Sequence, residues 1–185
     1  MSLLCLISGT PLDTATCGAV ADGILASSIY IANKAEITLG ARTDTTFSTF
    51  TIASGGKQLY KFEILEDDGD IKSTVVAGPR GSNTLTQEFS CVVNKINEDS
   101  RKFLTELLNG RFVIFVVTKA QEILVIGYED GAKLVDGTEF GVAEDTFGAS
   151  LVFQTLKNIE VTPAYLDTDY ATSLAALEAA LTPTA

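Results

Sequence analysis

Residues 111–118, RFVIFVVT, place six apolar residues in a row from Phe112 to Val117. Every one of them is β-branched or aromatic, which favours a strand over a helix. A strand with one wet face alternates apolar and polar residues, and this one does not, so both of its faces must be covered. The run is far short of the ~20 residues a membrane helix needs. After the connecting KAQ comes a second apolar run, QEILVIGY at 121–128, the right length and composition to pair antiparallel across a tight hairpin loop. A chain built around such a ribbon needs one layer on each side of it.

The flanking sequence supplies those layers mostly as strands. GILASSIYIAN (23–33) and FSTFTIA (47–53) carry strand propensity, the second ending at the SGG break of 54–56. KQLYKFEIL (57–65) alternates, setting Tyr60, Phe62 and Ile64 on one face and Lys61 and Glu63 on the other. EDDGD (66–70) reads as a hairpin turn, with IKSTVVAG (71–78) pairing back and GPRGSN as an exposed loop. TLTQEFSCVVNKI (84–96) places Leu85, Phe89, Cys91 and Val93 on one side. NEDSRKFLTELLNG (97–110) predicts a helix: Asn97 caps it, Glu98 and Asp99 suit its positive end, Gly110 ends it, and Phe103, Leu104, Leu107 and Leu108 form its apolar stripe.

Gly137, Gly141 and Gly148 break the stretch that follows into an extended loop between short strands, and ASLVFQTLKN (149–158) gives a final strand. Beyond Pro163, residues 167–181 predict a short alanine-rich helix capped by Asp169 or Thr168. The expected class is mainly β (α+β). The expected organisation is an N-terminal arm at 1–22, a β domain at 23–158 and a C-terminal arm at 159–185.

Charge and missing residue types exclude several functions. The chain has 13 basic and 24 acidic residues, a formal charge of −11, and no histidine or tryptophan. Affinity for a phosphate backbone comes from Lys and Arg displacing counterions, so tight nucleic-acid binding is not expected. Cys5, Cys17 and Cys91 have no CxxC spacing and no histidine to complete a zinc site, and read as structural thiols. The first twelve residues lack a basic n-region, so neither export nor a membrane segment is expected. Apolar residues nonetheless make up 46% of the chain, with a mean hydropathy of +0.25, which suggests surface buried between subunits.

No catalytic motif emerges. Ser27, Ser28 and Ser90 have no histidine base, and Cys91 lies in an alternating strand. Asp67, Asp68 and Asp70 are the one dense acidic cluster, the candidate for a bound ion, but they lack calcium-loop spacing and read as a solvated turn. Glu129 with Asp130, and Glu144 with Asp145, form acidic pairs with nothing nearby to separate their pKa values. ASGGKQ (53–58) lacks the GxxxxGK[ST] pattern of a phosphate loop, and Arg80 in GPRG reads as a loop-tip residue suited to an intersubunit contact. Expected catalytic, cofactor and metal residues are therefore none.

The order of the elements carries a resemblance. A long strand, a capped amphipathic helix, LLNGRFVIFVV, a hairpin to EILVIGYEDGA, a Gly-rich stretch with GTEFG, then FGASLVFQTLKNIEVTPA, with SSIYIAN near the start, resembles the small tail-tube-like structural proteins of tailed phages and prophages of Bacteroidetes. The likeness spans about Ser28 to Ala164. It implies a β-sandwich or rolled sheet with one flanking helix at about 97–109, assembled into a ring or stacked tube in a phage tail or head–tail connector. Further implications are a sheet continued from subunit to subunit, an acidic channel that conducts DNA without binding it, and loops and arms (137–148, 1–22, 159–185) that clasp neighbours. The partners would be further copies of the chain and adjacent tail or portal-side virion proteins, with assembly in the host cytoplasm and no membrane contact. The alternative expectation is a monomeric β-sandwich module binding a sugar or peptide through Tyr60, Tyr128 and Tyr165.

Overall fold

The structure is a computed structural model that describes residues 25–64, 69–78, 83–93, 105–143, 146–156 and 162–183. It is mainly β, as expected, with one curled sheet that supplies two of three layers. Strand β8 (Phe112–Thr118) is buried at every position and lies at the centre. Its even residues Phe112, Ile114 and Val116 point into one apolar cluster, and its odd residues Val113, Phe115 and Val117 into a second. The unbroken apolar run is thus a strand between two cores, and the chain itself covers both faces.

On one side β8 pairs antiparallel with β1 (Leu25–Asn33), and β1 with β5 (Tyr60–Glu63). On the other it pairs with β9 (Ile123–Ile126) through the expected hairpin. That loop closes with the Thr118 hydroxyl, which donates to the Glu122 carbonyl and accepts from the Glu122 amide, both at 3.0 Å. Beyond the end of β9, β10 (Ala132–Leu134) meets β8 through the single pair Ala132 and Phe112. From there the sheet curls over itself through β12 (Thr146–Thr155), β7 (Asn83–Val93) and β6 (Gly69–Ala77). The curl encloses the first core, where Ile29, Ile31 and Ile64 face Phe89, Cys91, Leu151 and Phe153. Of Leu85, Phe89, Cys91 and Val93, expected on one face of β7, Phe89 and Cys91 are buried and Leu85 is half-buried, while the Val93 side chain lies outside those described.

The second core lies on the opposite face of β1, β8 and β9. Its cover is built from β2 (Ile37–Leu39) paired with β4 (Phe50–Ile52), from β3 (Thr46–Phe47) running parallel to β13 (Ala164–Tyr165), and from helix α1 (Tyr170–Ala179). FSTFTIA is therefore two short strands in different pairings, separated at Ser48 and Thr49. Asp169 caps α1, its carboxylate accepting from the Thr172 amide at 2.7 Å. Ser173 and Leu177 are fully buried, so the segment expected as a C-terminal arm folds back on its own sheet over residues 162–183.

Three other expectations change. β6 pairs with β7 in a nine-residue ladder and not with β5, because two long strands close in sequence pair directly while β5 is held by β1. The expected loop of 137–148 contains a hairpin, β11 (Glu139–Ala143) against β12 in register from Glu139 and Ser150 to Ala143 and Thr146. The glycines interrupt side-chain alternation without interrupting backbone pairing. Of the predicted helix at 97–110, residues 105–107 are helical and Leu107 is buried, whereas Leu108 is exposed and leaves the stripe. Asn97, Glu98, Asp99, Phe103 and Leu104 lie outside the described residues, as does the arm at 1–22.

Candidate functional site

The candidate chemical groups do not converge. Among the described residues no group of three or more Asp, Glu or Cys side chains is placed to hold a metal ion. Asp70 lies on β6 beside Lys72, 3.3 Å away, while Asp67 and Asp68 lie outside the described residues. Glu129 and Asp130 are exposed on the turn after β9, and Glu144 and Asp145 lie outside the described residues. Cys91 is buried in the first core, where desolvation pushes its thiol up to about 12, so Cys91 is not a thiolate near neutral pH. Cys5, Cys17, Ser27 and Arg80 lie outside the residues whose side chains are described. Gly55 and Gly56 form a turn at positive φ, and Lys57 beside them is ion-paired with Glu36 at 2.6 Å. That is a turn and an ion pair, and no phosphate cradle.

The three tyrosines of the binding-module expectation lie apart in character. Tyr165 is buried, edge-on to Phe50 and Phe115, and Tyr128 donates to the Gly40 carbonyl at 2.7 Å with its ring against Phe47. Tyr60 alone of the three has substantial exposure. An open groove of about 420 Å³ runs between α1 and the β3–β4 segment, floored by Phe50, Ile52, Tyr165, Ala176 and Ala180 with Asp167 at its rim.

One polar cluster was not foreseen from the sequence. The Tyr30 hydroxyl donates to Glu178 at 2.5 Å, and the Lys61 ammonium reaches the same oxygen at 2.7 Å while lying 5.6 Å from the Tyr30 ring centroid. The Leu59 amide adds a bond to the Ala180 carbonyl at 2.9 Å. Separations of 117 and 148 residues leave no local pattern that would announce this cluster. It fastens α1 across β1 and β5. Burial, and then the bond to Glu178, raise the Tyr30 hydroxyl well above an ordinary phenol. The bonds from Lys61 and then Tyr30 hold Glu178 below the ordinary carboxylate range.

A carboxyl whose folded pKa is depressed contributes stability above its unfolded value and loses it as pH falls through the folded one. Glu178→Gln is therefore expected to lower urea stability at pH 7 by less than about 1 kcal/mol, the pair being partly exposed. The gap between variant and parent should narrow as pH falls below the ordinary glutamate range and through the depressed folded value. A gap that stays constant with pH would show that Glu178 carries no charge-dependent docking.

The remaining surface feature is the outer strand of the curled sheet. β6 is exposed from Ser73 to Ala77, with Val75 at 61% and Val76 at 37% exposure. The strand ladder of β12 with β7 ends at Glu88, the Thr155 hydroxyl still bonds the Gln87 backbone, and beyond it Thr74–Ala77 and Asn83–Thr86 continue as a two-stranded ribbon. Such a ribbon alone in water is marginal, and apolar residues on both its faces gain from a partner. At the opposite end of the curl, β5 pairs with β1 and with no other strand among the described residues. No known protein family, curated protein or solved structure matches this chain.

Proposed function

We propose that the chain is a virion structural protein that assembles into an oligomeric ring, or a tube of stacked rings, in a phage tail or head–tail connector. Its work is mechanical: copies self-assemble, and the formal charge of −11 gives a channel wall that repels passing DNA. The observation that carries this reading is the outer strand of the curled sheet, β6, which is exposed from Lys72 to Ala77 with Val75 and Val76 on its surface. An open edge is an association hazard in a monomer and a joint in an assembly. The scatter of the acidic and nucleophilic groups gives no support to an enzyme, and the separate roles of Tyr60, Tyr128 and Tyr165 give none to the sugar- or peptide-binding module.

The test is mass and shape. Purified protein at micromolar concentration is expected to scatter light as particles many times the 19.6 kDa chain mass, and negative-stain images should show annular particles. A 19.6 kDa species at every concentration would overturn the reading.

A further inference from the structure

The groove beside α1 has a strand edge for one wall. In the β2–β4 ladder the Gly40 amide donates to the Thr49 carbonyl at 2.7 Å and the Ala53 amide to the Glu36 carbonyl at 2.8 Å, with Leu39 opposite Phe50 and Ile37 opposite Ile52. Successive residues of an antiparallel strand turn their backbone groups to opposite edges. Thr49, Thr51 and Ala53 therefore face β2, and the amides and carbonyls of Phe50 and Ile52 face the groove. Among the described residues no hydrogen bond uses those four groups. On the helix side stand Ala176, Ala179 and Ala180, small enough to leave about 420 Å³ open. A free strand edge beside a helix, over an apolar floor, is the geometry in which an extended segment adds as a further strand.

The same chain presents such a segment on β6. The Thr155 hydroxyl bonds both the amide and the carbonyl of Gln87, which therefore point toward β12, and the Thr84 hydroxyl donates to the Val76 carbonyl at 3.5 Å. The alternation then turns the backbone groups of Lys72, Thr74 and Val76 toward β7, and those of Ser73, Val75 and Ala77 toward the outer edge. No strand pairs with that edge among the described residues. Past Ser73 the ribbon is two strands wide, so its edge approaches a groove without a wider sheet behind it.

Backbone direction and burial select one pairing of the two edges. In antiparallel pairing, Val75 and Ala77 bond to Ile52 and Phe50 as opposed pairs, each pair exchanging two hydrogen bonds. Opposed residues share a face, so Val75, at 61% exposure, enters the groove beside the Ile52 side chain, and Ala77 beside that of Phe50. A register shifted by two residues sets Ser73 opposite Ile52, although the Ser73 hydroxyl already lies 3.2 Å from that of Thr162. The opposite shift carries Val75 past Ile52 to the turn at Ser54. Parallel pairing sets Val75 opposite Thr51, on the exposed face, and leaves its side chain in water.

We infer that the ribbon of one copy docks in the groove of a second copy, β6 pairing antiparallel with β4 so that Val75 lies opposite Ile52 and Ala77 opposite Phe50. The inference rests on the assembly reading above and supplies its joint. Ribbon and groove are different surfaces of one chain, so the contact passes head to tail around a ring or along a helical stack, and used reciprocally it builds a two-fold dimer.

Cross-linking, a proline and a groove-filling side chain test it. Val76 lies opposite Thr51 in this register, a pair without backbone bonds between its members and within disulfide reach. With Cys5→Ser and Cys17→Ser in both proteins, and Cys91 buried, mixing Thr51→Cys protein with Val76→Cys protein under mild oxidation should give a covalent heterodimer. Thr51→Cys with Lys72→Cys should give little. Ala77→Pro removes a donor that faces the joint and not β7, so the variant should fold and associate at least about tenfold more weakly. Ala179→Phe fills the groove and should weaken association at least as much. Thr51, Lys72, Val76, Ala77 and Ala179 are all exposed, and circular dichroism verifies that each variant is folded. Particles that assemble without the Thr51–Val76 bridge, undiminished by Ala77→Pro and Ala179→Phe, would overturn the joint and leave the assembly reading standing. A bridged species that stops at two chains in light scattering would uphold the joint and overturn the ring. A bridge-free monomer would overturn both.

Discussion

Phe115→Asp is expected to yield no soluble folded protein. Phe115 has no exposed surface, and its ring meets Phe50 at 5.5 Å and Tyr165 at 5.9 Å between centroids, in a cluster completed by Val113, Val117, Val125 and Leu177. The side chains packed around Phe115 are apolar or aromatic, so a carboxylate introduced there would be desolvated whether ionised or protonated. A buried polar group left in that state costs several kcal/mol, and the lost ring adds about 3–5 kcal/mol, together comparable with the whole stability of an ordinary domain. Phe115→Leu keeps an apolar group at the site and should cost roughly 1–2 kcal/mol, with a cooperative melt preserved. Val75→Asp puts the same charge on an exposed strand, where folding should be unaffected and only association should suffer. Soluble yield and circular dichroism melts of the three variants check this. A folded Phe115→Asp protein with an unchanged melting temperature would contradict the doubly covered position of β8.

The strand that answers this test was legible from sequence because its signal is local. Six adjacent apolar residues leave no wet face, and the KAQ connection pairs β8 with β9 without any distant information. Asp169 was legible for the same reason, since a cap acts on an amide three residues away. What was misread depends on competition between distant segments. FEI and IKS look like a hairpin when only the EDDGD turn is considered, yet β1 and β7 offer longer ladders and take the two strands to opposite ends of the sheet. The glycines of 137–148 resemble loop signals because side-chain propensity falls there, while the backbone of β12 carries the pairing of β11 regardless. The Tyr30–Lys61–Glu178 cluster has no sequence signature at all, because it exists only once α1 has docked. The exposed outer strand was not readable either: IKSTVVAG shows strand propensity, but the exposure of Val75 and Val76 required the fold.

The place where the sheet turns from its central layer into the second one is expected to be the most sensitive backbone position. Gly127 ends β9 at φ +82, and its carbonyl accepts from the Gly131 amide at 3.1 Å to close the turn that leads into β10. A Cβ at this position would stand 2.5 Å from the Phe112 carbonyl oxygen and 2.6 Å from the Ala132 amide nitrogen. Both are backbone atoms, and they belong to the one residue pair that joins β8 to β10, so relief of the clash means opening that joint. Gly127→Ala therefore combines left-handed strain with steric displacement of the ladder, for an expected loss of about 3–4 kcal/mol and a fall in melting temperature of roughly 6–15 °C. Gly55→Ala isolates the strain alone: its φ is +95, and nothing lies within 4 Å of the added carbon, so about 1–2 kcal/mol is expected. Because the joint sets how the second layer, and with it β6, sits against the first, Gly127→Ala protein that remains folded should also associate more weakly than Gly55→Ala protein does. Urea melts and light scattering on the two variants separate these effects. Equal losses at Gly127 and Gly55 would show that the layers are not held in place through the contact between Phe112 and Ala132.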